Sequence, residues 1–331
     1  MDQVVSPVVI VGAGPTGIAC AVELGRAGIA AECHDRGTLL ETIYRFPEEM
    51  RWFSTRDLLE ICGVPFAVPD AHPSRLQTLA YYRGVAEKFG VRVRPGSEIV
   101  RVRPSGDGLE VEGRRRDEPF RSFAPAAVIA TGFFHNPLVL GVPGESLPLV
   151  EKRYISGFPF HDRDVVVVGG RNSASEAALD LYRHGARVTM VVRGPAISER
   201  VKYWIRPDLE NRIRCGAIRA IFHCRVREIL PAAVRVESPA GEETIPADAV
   251  FPLVGYAPDF ALLERCGVAL EGPERRPVHD LETLESNVSG LFLAGAVLSG
   301  TETGRIFIEN SREHGARIAR AISARRRAVP V

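Results

Sequence analysis

The sequence predicts an α/β protein with two similar domains, the second inserted into the first. Two glycine-rich turns, at 12–17 and 169–174, carry this prediction, because each lies between an apolar β-rich run and an apolar helical pattern. Further apolar runs at 127–132 and 288–296 end in small-residue turns and indicate where the chain leaves the first domain and returns to it. The 331 residues suffice for two domains with separate cores.

The first turn reads Gly12-Ala13-Gly14-Pro15-Thr16-Gly17 and follows a strand predicted over 8–11. Gly12 permits a tight turn, Gly14 lets the backbone approach a pyrophosphate, and Gly17 lets the next helix lie against the strand. The amino terminus of that helix offers free N–H groups to phosphate oxygens. Asp35 follows the second predicted strand, 23 residues after Gly12, where a carboxylate binds ribose hydroxyls. Together these features predict a Rossmann-like dinucleotide-binding domain.

The second turn reads Gly169-Gly170-Arg171-Asn172-Ser173-Ala174 and follows a continuous apolar strand over 165–168. A helix over 175–184 and a strand over 187–192 are predicted after it. Arg171 stands at the second glycine position of the pattern, where a side chain should restrict how closely the backbone meets a pyrophosphate. The repeat of strand, turn, helix and strand predicts a second Rossmann-like domain.

The residues after this second strand indicate which nucleotide is bound. Val192 takes the position of the ribose-binding acid and Arg193 follows it, which favours a 2′-phosphate and hence NADPH over NADH. Lys202, nine residues further on, is a second source of positive charge. An ordinary surface role stays open for both basic residues. Two dinucleotide folds in one chain indicate one site for FAD and one for NAD(P)H, and Arg193 makes NADPH the expected nucleotide.

The same patterns set the expected domain boundaries. The FAD-binding domain takes residues 1–132 and 257–331, and the NADPH-binding domain takes 133–256. Two small-residue turns of the first domain, at Thr131-Gly132 and Gly295-Ala296, are expected at the cofactor. Helices are predicted over 74–89 and over 305–320.

A loop-rich stretch over 42–73 combines aromatic side chains with Arg45, Arg51 and Arg56. We expect its aromatic residues to pack on the flavin and its three arginines to face the substrate. Ordinary core packing with scattered surface charge is an equally open interpretation for any one of these residues.

Composition excludes several other classes of protein. The net charge is +1 and lysines are only three of the 42 basic residues, so the arginine runs indicate solvated surface rather than nucleic-acid binding. No run approaches the ~20 apolar residues of a membrane span, and Met1-Asp2-Gln3 lacks a basic leader, so a cytoplasmic protein is expected. The six cysteines form no C-x-x-C and have no zinc-site spacing, which predicts reduced thiols and no metal.

The motifs quoted above, with Ala130-Thr131-Gly132 and Leu293-Ala294-Gly295, resemble in kind and order the two-dinucleotide-domain flavoprotein reductases such as thioredoxin reductase. Within that group the chain resembles the bacillithiol disulfide reductases (YpdA-type). The residues that carry this closer resemblance are 161–174, Arg193-Gly194, Lys202-x-Trp204-Ile205-x-Pro207, 306–310 and His314-Gly315. The resemblance implies FAD, NADPH and a low-molecular-weight disulfide as electron acceptor, and we expect a homodimer.

Two residues depart from the pattern of these families. The wider group carries Asp after the last glycine, where it binds the flavin ribityl chain, but this chain has Ala296. The YpdA-type enzymes usually carry Cys in the first glycine turn, but this chain has Thr16, which cannot form a mixed disulfide. A hydroxyl that donates to the cofactor or to the backbone is the simplest role for Thr16, and no catalytic residue can be assigned.

Four functions are compatible with the two nucleotide sites to different degrees. The first is an NADPH-dependent disulfide reductase without redox cysteines of its own, with bacillithiol disulfide as the expected substrate. The second is an NADPH reductase of a ferredoxin- or flavodoxin-type carrier protein. A flavin monooxygenase is disfavoured, since no F-x-G-x-x-x-H pattern lies between Leu147 and Tyr154. A non-catalytic flavoprotein that senses NADPH stays open.

Overall fold

The computed structural model describes residues 7–328 and divides the chain into two compact units. Unit 1 contains residues up to 46, then 50–136 and everything from 257 onwards, and unit 2 contains 47–49 and 137–256. The second unit is therefore inserted into the first, with the main crossings after residues 136 and 256 rather than after the predicted 132 and 256. Residues 1–6 and 329–331, which include the Met1-Asp2-Gln3 segment and the outer ends of the predicted FAD-binding domain, lie outside the described residues.

The α-helices of the described residues are α1 (Pro15–Arg26), α2 (Glu41–Tyr44), α3 (Arg75–Lys88), α4 (Asn172–Arg183), α5 (Arg206–Arg214), α6 (Phe260–Arg265), α7 (Ile308–Ser311) and α8 (His314–Ala328). The strands are β1 (Val8–Val11), β2 (Ala31–His34), β3 (Val93–Arg94), β4 (Ser97–Ser105), β5 (Gly108–Arg115), β6 (Glu118–Ala124), β7 (Ala127–Ile129), β8 (Asp164–Val168), β9 (Arg187–Val191), β10 (Arg219–Ile221), β11 (Arg225–Leu230), β12 (Ala233–Ser238), β13 (Gly241–Pro246), β14 (Ala249–Pro252), β15 (Leu270–Glu271), β16 (Arg276–Pro277) and β17 (Leu291–Leu293). Short 3-10 helices span Arg56–Leu59, Phe158–Phe160 and Gly295–Ser299.

Unit 1 is built on a parallel five-stranded sheet in the order β17-β7-β1-β2-β3. Its central strand β1 is buried along its whole length, which is why it reads as a continuous apolar run. Helix α8 packs on α1 at Gly315, where an added Cβ would lie 2.7 Å from the carbonyl oxygen of Ala19. The antiparallel sheet β4-β5-β6 contributes Val102, Leu109 and Val111 to the same core.

Unit 2 repeats the plan with a parallel sheet in the order β10-β9-β8-β14. Helix α4 buries its alanine-rich face against this sheet, in a core that includes Ala177, Leu181 and Phe251. The antiparallel sheet β11-β12-β13 packs its own apolar side chains against the parallel strands. Both units are therefore Rossmann-like α/β folds, as the two glycine turns predict.

The predicted helix over 305–320 is wrong, because the structure has two helices with a break at 312–313. Asn310 sets the start of α7 after Phe307 and not at 305, because its Oδ1 accepts from Phe307 N at 2.7 Å. Ser311 Oγ donates to the carbonyl oxygen of Phe307 at 2.6 Å, and such side-chain bonds compete with continuation of a helix. The predicted helix over 74–89 matches α3, whose Ser74 forms a capping box with Gln77.

Within residues 7–328, no helix is both long enough and apolar enough to cross a bilayer. The same part of the chain contains no group of three or more His, Cys, Asp or Glu side chains that would suit a metal ion.

Candidate functional site

The first glycine turn is closed on two sides and open on the third. A Cβ on Gly12, whose φ is +110°, would lie 2.6 Å from the carbonyl oxygen of Ala130, and a Cβ on Gly17 would lie 2.1 Å from the carbonyl oxygen of Gly12. These two positions therefore admit no side chain. At Gly14 an added Cβ would meet nothing within 4 Å. The open side of the turn lies at Gly14, the position at which a pyrophosphate approaches the backbone in this motif.

Helix α1 starts at this turn with backbone donors that no helical bond satisfies. The first intrahelical bond runs from Ile18 N to the carbonyl oxygen of Gly14, so the N–H groups of Thr16 and Gly17 have no partner within the helix. Gly14 is the N-cap and supplies no side chain, and Pro15 has no N–H. The turn thus presents free donors and the positive end of the helix dipole to an anion.

Asp35 lies beside the turn and bonds to it directly. Its Oδ2 accepts from Ala13 N and its Oδ1 accepts from Gly37 N, both at 2.9 Å. Burial raises the pKa of this carboxyl above its usual value, although the two backbone donors act in the opposite direction. A carboxylate held from behind in this way keeps lone pairs for hydroxyl donors, which suits the ribose role predicted for it.

Thr16 packs inside unit 1 against the last small-residue turn. Its Oγ1 lies 3.5 Å from Ser311 Oγ, and an added Cβ on Gly295 would lie 2.8 Å from Thr16 Oγ1. Gly295 has a φ of +77° and begins the 3-10 helix Gly295–Ser299, in which Ala296 is only partly buried between buried neighbours. The structure thus brings Thr16, Gly295 and Ala296 together, although they are about 280 residues apart in the sequence.

The turn at Thr131 and Gly132 closes the same region. A Cβ added on Gly12 would lie 3.3 Å from the Cα of Thr131, and Gly132 has a φ of +64°. Two residues further on, Phe134 packs edge-on against Phe46 with ring centroids 4.6 Å apart, and Phe46 contacts Trp52 at 5.8 Å.

Trp52 adds an unusual polar feature to this aromatic group. Its Nε1 is buried and has no acceptor among the described residues. A buried donor of this kind costs free energy unless a ligand or water accepts from it. The four features of unit 1 (open Gly14, free N–H groups, the Asp35 carboxylate and an unsatisfied indole) fit a flavin dinucleotide.

The second glycine turn, in unit 2, has a similar form. An added Cβ on Gly169, whose φ is +140°, would lie 2.5 Å from the carbonyl oxygen of Leu253, and one on Gly170 would lie 2.8 Å from Val192 Cγ1. Arg171 is the N-cap of α4, with extended backbone angles of −110° and −173° that any residue adopts. The side chain is exposed, so Arg171 extends outwards and causes no backbone strain in the turn.

Asn172, Ser173 and Ala174 open helix α4, and the first intrahelical bond there runs from Ser175 N to the carbonyl oxygen of Arg171. Their N–H groups therefore lack helical partners, as at the first turn. Ala174 is fully buried and its Cβ lies 3.0 Å from the position of an added Cβ on Gly169, which fits the close-packing role of the third motif position.

Asn172 fastens the loop 198–202 to the turn. Its Nδ2 donates to the carbonyl oxygen of Arg200 at 3.2 Å, and its Oδ1 accepts from Lys202 N at 3.0 Å. Lys202 Nζ forms an ion pair with Glu176 Oε1 at 2.9 Å and lies 5.6 Å from the centroid of the Trp204 ring. The positive charge of Lys202, which the sequence suggested for nucleotide binding, is therefore largely balanced by Glu176. A role of Lys202 in nucleotide binding stays a prediction.

Three arginines border this second turn without ionic partners. Arg193 follows Val192, Arg171 lies in the turn, and Arg200 is held there by Asn172. All three side chains are exposed, and none forms an ion pair with a residue in the described part of the chain. Sequence reasoning missed Arg200, because the signal is the bond from Asn172, 28 residues away, rather than any spacing.

The three arginines predicted to face the substrate are each bonded within unit 1. Arg45 pairs with Glu41 one helical turn earlier, and Arg51 lies 3.5 Å from Asp70 Oδ1. Arg56 donates to the carbonyl oxygens of Val68 and Pro69 and so closes the loop on itself. Arg45 and Arg51 remain exposed, and their substrate role stays a prediction, whereas the guanidinium of Arg56 already serves the backbone.

The cysteines offer no paired or activated thiol among the described residues. None forms a disulfide, and only Cys215 is exposed. Burial raises the pKa of Cys20 to about 12 and of Cys62 to about 12, and it also raises the pKa values of Cys33, Cys224 and Cys266. Since the thiolate is the reactive form, the raised pKa values disfavour reaction of these five thiols at neutral pH.

Comparison with known proteins agrees with this geometry. The profile of the pyridine nucleotide-disulphide oxidoreductases matches residues 9–295. Bacilliredoxin reductase Bdr of Bacillus subtilis (strain 168) is 38% identical over 321 residues, which cover 96% of this chain and 97% of that protein. The solved bacillithiol disulfide reductase Bdr (YpdA) of Bacillus cereus superposes with a TM-score of 0.94 at 38% identity, covering 96% of this chain and 99% of that one.

A Staphylococcus aureus Bdr (YpdA) structure is similar as well, with a TM-score of 0.91 at 33% identity over 96% of this chain and 98% of that one. The T. acidophilum thioredoxin reductase shares the fold with a TM-score of 0.73 at 24% identity, covering 96% of this chain and 98% of that one. This chain belongs to the pyridine nucleotide-disulphide oxidoreductase family, as a flavoprotein oxidoreductase of the bacillithiol disulfide reductase (YpdA-type) group.

Proposed function

We propose that this protein binds FAD and NADPH and reduces a low-molecular-weight disulfide of the bacillithiol type, without a dithiol of its own. The observation that carries the nucleotide part is the group of unpaired arginines at the second glycine turn. The acceptor part rests on the relatives, two of which bear the name bacillithiol disulfide reductase.

The residues of unit 1 would hold FAD, with the pyrophosphate on the N–H groups of Thr16 and Gly17 and the ribose on Asp35. When bound, the flavin supplies a centre that takes a hydride from the nicotinamide and passes two electrons to the acceptor. The chain's own part is to bind and to orient. Gly12 and Gly17 hold the turn shut, Gly14 leaves room for phosphate, and the aromatic side chains Phe46 and Trp52 would pack beside the flavin.

NADPH is preferred to NADH in this proposal because of charge. Arg193 and Arg200 are exposed guanidinium groups with no carboxylate partner in the described residues, and Arg171 is a third. A 2′-phosphate is a dianion that guanidinium groups bind through paired hydrogen bonds. The position where an NADH enzyme places an acid holds Val192, which is buried and neutral.

Hydride transfer to the flavin with both nucleotides tests this assignment. In anaerobic stopped-flow experiments, wild-type holoprotein should be reduced much faster by NADPH than by NADH. Arg193→Ala and Arg200→Ala should each weaken the response to NADPH about tenfold or more, the loss of one charge-assisted bond, and leave NADH nearly unchanged. Arg235→Ala, which removes an exposed arginine paired with Glu228, is the matched control. Equal rates with both nucleotides in the wild type refute the NADPH assignment.

The acceptor is proposed to react at the flavin and not at a protein thiol. Burial raises the pKa values of five of the six cysteine thiols, and the sequence contains no C-x-x-C pair. Alkylation of every accessible thiol should therefore leave flavin reduction by NADPH intact and leave disulfide reduction largely intact. Loss of disulfide reduction on alkylation, with flavin reduction by NADPH intact, would contradict a mechanism without protein thiols.

Bacillithiol disulfide is acidic, because each half carries malate carboxylates, so an electropositive contact is required. Arg45 and Arg51 are the exposed candidates. A double Arg→Ala change should raise the apparent KM for this disulfide without slowing flavin reduction, which is the pattern of lost uniform binding. A KM equal to that of the wild type removes these two residues from the substrate site.

Reduction of a carrier protein is the second candidate. The B. subtilis relative is named for a bacilliredoxin, and a ferredoxin–NADP reductase of Ignicoccus hospitalis is 25% identical over 299 residues, 87% of this chain and 88% of that protein. A panel of bacillithiol disulfide, glutathione disulfide, a bacilliredoxin, ferredoxin and oxygen separates the two. Brisk, salt-sensitive turnover with a protein carrier and none with any small disulfide would favour this alternative. A cytoplasmic homodimer completes the proposal.

A further inference from the structure

His314 is a buried imidazole next to the flavin turn of unit 1 that no step of the proposed reaction uses. It is the first residue of α8 and is 7% exposed. Its Nδ1 accepts a hydrogen bond from Gly295 N at 3.0 Å. This N–H is one of the donors at the start of the 3-10 helix Gly295–Ser299 that no helical bond can satisfy. The imidazole therefore fills a need that an apolar side chain would leave open.

The acceptor role requires a neutral ring with its proton on Nε2. Burial, with smaller contributions from Arg317 and His279, lowers the pKa of His314 to about 4. Both neighbours oppose a second positive charge, and Arg317 is itself fixed by a bond from its Nε to the carbonyl oxygen of Glu282 at 3.0 Å. At neutral pH the Nδ1 lone pair is available, and protonation would replace this acceptor with a donor that faces Gly295 N–H.

Gly295 occupies a position where small displacements matter. Its φ of +77° suits glycine, and a Cβ added on Gly295 would lie 2.8 Å from Thr16 Oγ1. The next residue, Ala296, has no carboxylate of its own to fix the turn. Gly315, directly after His314, brings α8 within contact of the α1 backbone at Ala19. The imidazole thus joins the turn 295–299 to α8, which packs closely on α1, the helix that begins at the first glycine turn.

We propose that His314 is a positioning residue of the flavin site: by accepting from Gly295 N–H it fixes the turn 295–299 against Thr16 in the form that receives the cofactor. The inference rests on the proposed placement of FAD in unit 1. It predicts that His314 affects how tightly and in what environment the flavin is held, although the side chain itself touches the backbone and not the reacting atoms.

Three variants test the role. His314→Leu removes the acceptor, His314→Asn keeps a carbonyl oxygen near the position of Nδ1, and His161→Leu makes the same change at an exposed histidine of unit 2. Flavin titration of the deflavinated proteins should show affinity about tenfold lower for His314→Leu, the loss of one bond to a buried donor. His314→Asn should recover most of this loss, and His161→Leu should match the wild type. The visible flavin spectrum should shift in His314→Leu alone.

Wild-type affinity and spectrum in a folded His314→Leu would overturn the proposal, as would an equal loss in His314→Asn. If His314→Leu does not fold, the ring nitrogens of the wild-type protein, measured with and without flavin, decide the question by 15N NMR, with His314→Asn identifying the resonances. An unprotonated Nδ1 and a protonated Nε2 at pH 7 are expected, and a charged ring or the opposite tautomer would refute the idea. Failure of the wild type to bind FAD at all refutes the proposed function instead, because the tautomer measurement does not depend on it.

Discussion

The open space at Gly14 allows a sharp test of the FAD site by adding single methyl groups along one helix. Gly14→Ala places a Cβ where the protein itself has no atom within 4 Å, and its φ of −79° suits alanine. Gly17→Ala places a Cβ 2.1 Å from the carbonyl oxygen of Gly12, so the backbone must move. Gly25→Ala adds a methyl group near the end of the same helix, also with nothing within 4 Å, and serves as the control.

The expected magnitudes differ between protein stability and flavin affinity. Loss of a favourable N-cap residue should cost Gly14→Ala about 1 kcal/mol or less of stability in the deflavinated protein. Gly25→Ala should gain up to about 1 kcal/mol from helix propensity. Gly17→Ala should lose about 3 kcal/mol or more from overpacking. A methyl group on Gly14 denies a pyrophosphate the N–H groups of Thr16 and Gly17, and two charge-assisted bonds of about 1.5–3 kcal/mol each correspond to at least a hundredfold loss in affinity.

The assay is a flavin titration of each deflavinated variant, followed by fluorescence quenching, beside chemical unfolding of the same samples. The expected pattern is a stable Gly14→Ala that binds flavin poorly, next to a Gly25→Ala that is stable and binds normally. A Gly14→Ala variant with wild-type flavin affinity refutes the assignment of this turn to the pyrophosphate. A Gly14→Ala variant as unstable as Gly17→Ala would instead show that the folded protein itself needs the space around Gly14.

Three further perturbations have expected outcomes. Asp35→Ala should weaken flavin binding about tenfold or more, because it removes a charged acceptor for ribose hydroxyls, and equal titration curves would contradict this role. The folded-state pKa of His314, about 4, lies below the usual 6.5, so its contribution to stability is complete above pH 6.5 and is lost as the pH falls towards 4. The resulting loss of unfolding free energy should reach roughly 3 kcal/mol and should be absent in His314→Asn. Urea unfolding across this pH range measures it. Arg56→Ala should lower the unfolding free energy by about 1–2 kcal/mol, since the carbonyl oxygens of Val68 and Pro69 lose their donor. The KM for a disulfide should not change, and a raised KM would show that Arg56 binds the substrate.

Sequence alone predicted the parts of the fold that local patterns determine. Both glycine turns, the strands beside them and the insertion of one unit into the other follow from glycine spacing and apolar runs, which act over a few residues. The break between α7 and α8 was not predicted, because Asn310 caps the start of α7 at Phe307 N and Ser311 bonds back to the carbonyl oxygen of Phe307, while the apolar periodicity continues past both residues.

The candidate site was predicted less completely, for a physical reason. Contacts between distant segments leave no spacing in the sequence, so the grouping of Thr16 with Gly295 and the bond from His314 to Gly295 required coordinates. The same holds for Lys202, whose predicted free charge is paired with Glu176 because α4 and the loop 198–202 lie side by side. Residue type suggested the basic candidates, but their partners decide which of them has charge to offer a ligand.

The arginines at the second glycine turn differ in this respect from other exposed arginines of unit 2. Elsewhere in unit 2, three exposed arginines of the strands β10, β11 and β12 pair with glutamates, as Arg219–Glu243, Arg227–Glu237 and Arg235–Glu228. Arg171, Arg193 and Arg200 have no such carboxylate in the described residues, although their backbones border one turn. Like charges gathered without counter-ions repel one another, so a dianion bound there relieves repulsion as well as forming new bonds. NADPH carries that dianion and NADH does not, and the advantage of NADPH should therefore shrink as salt shortens the range of the arginines' charge.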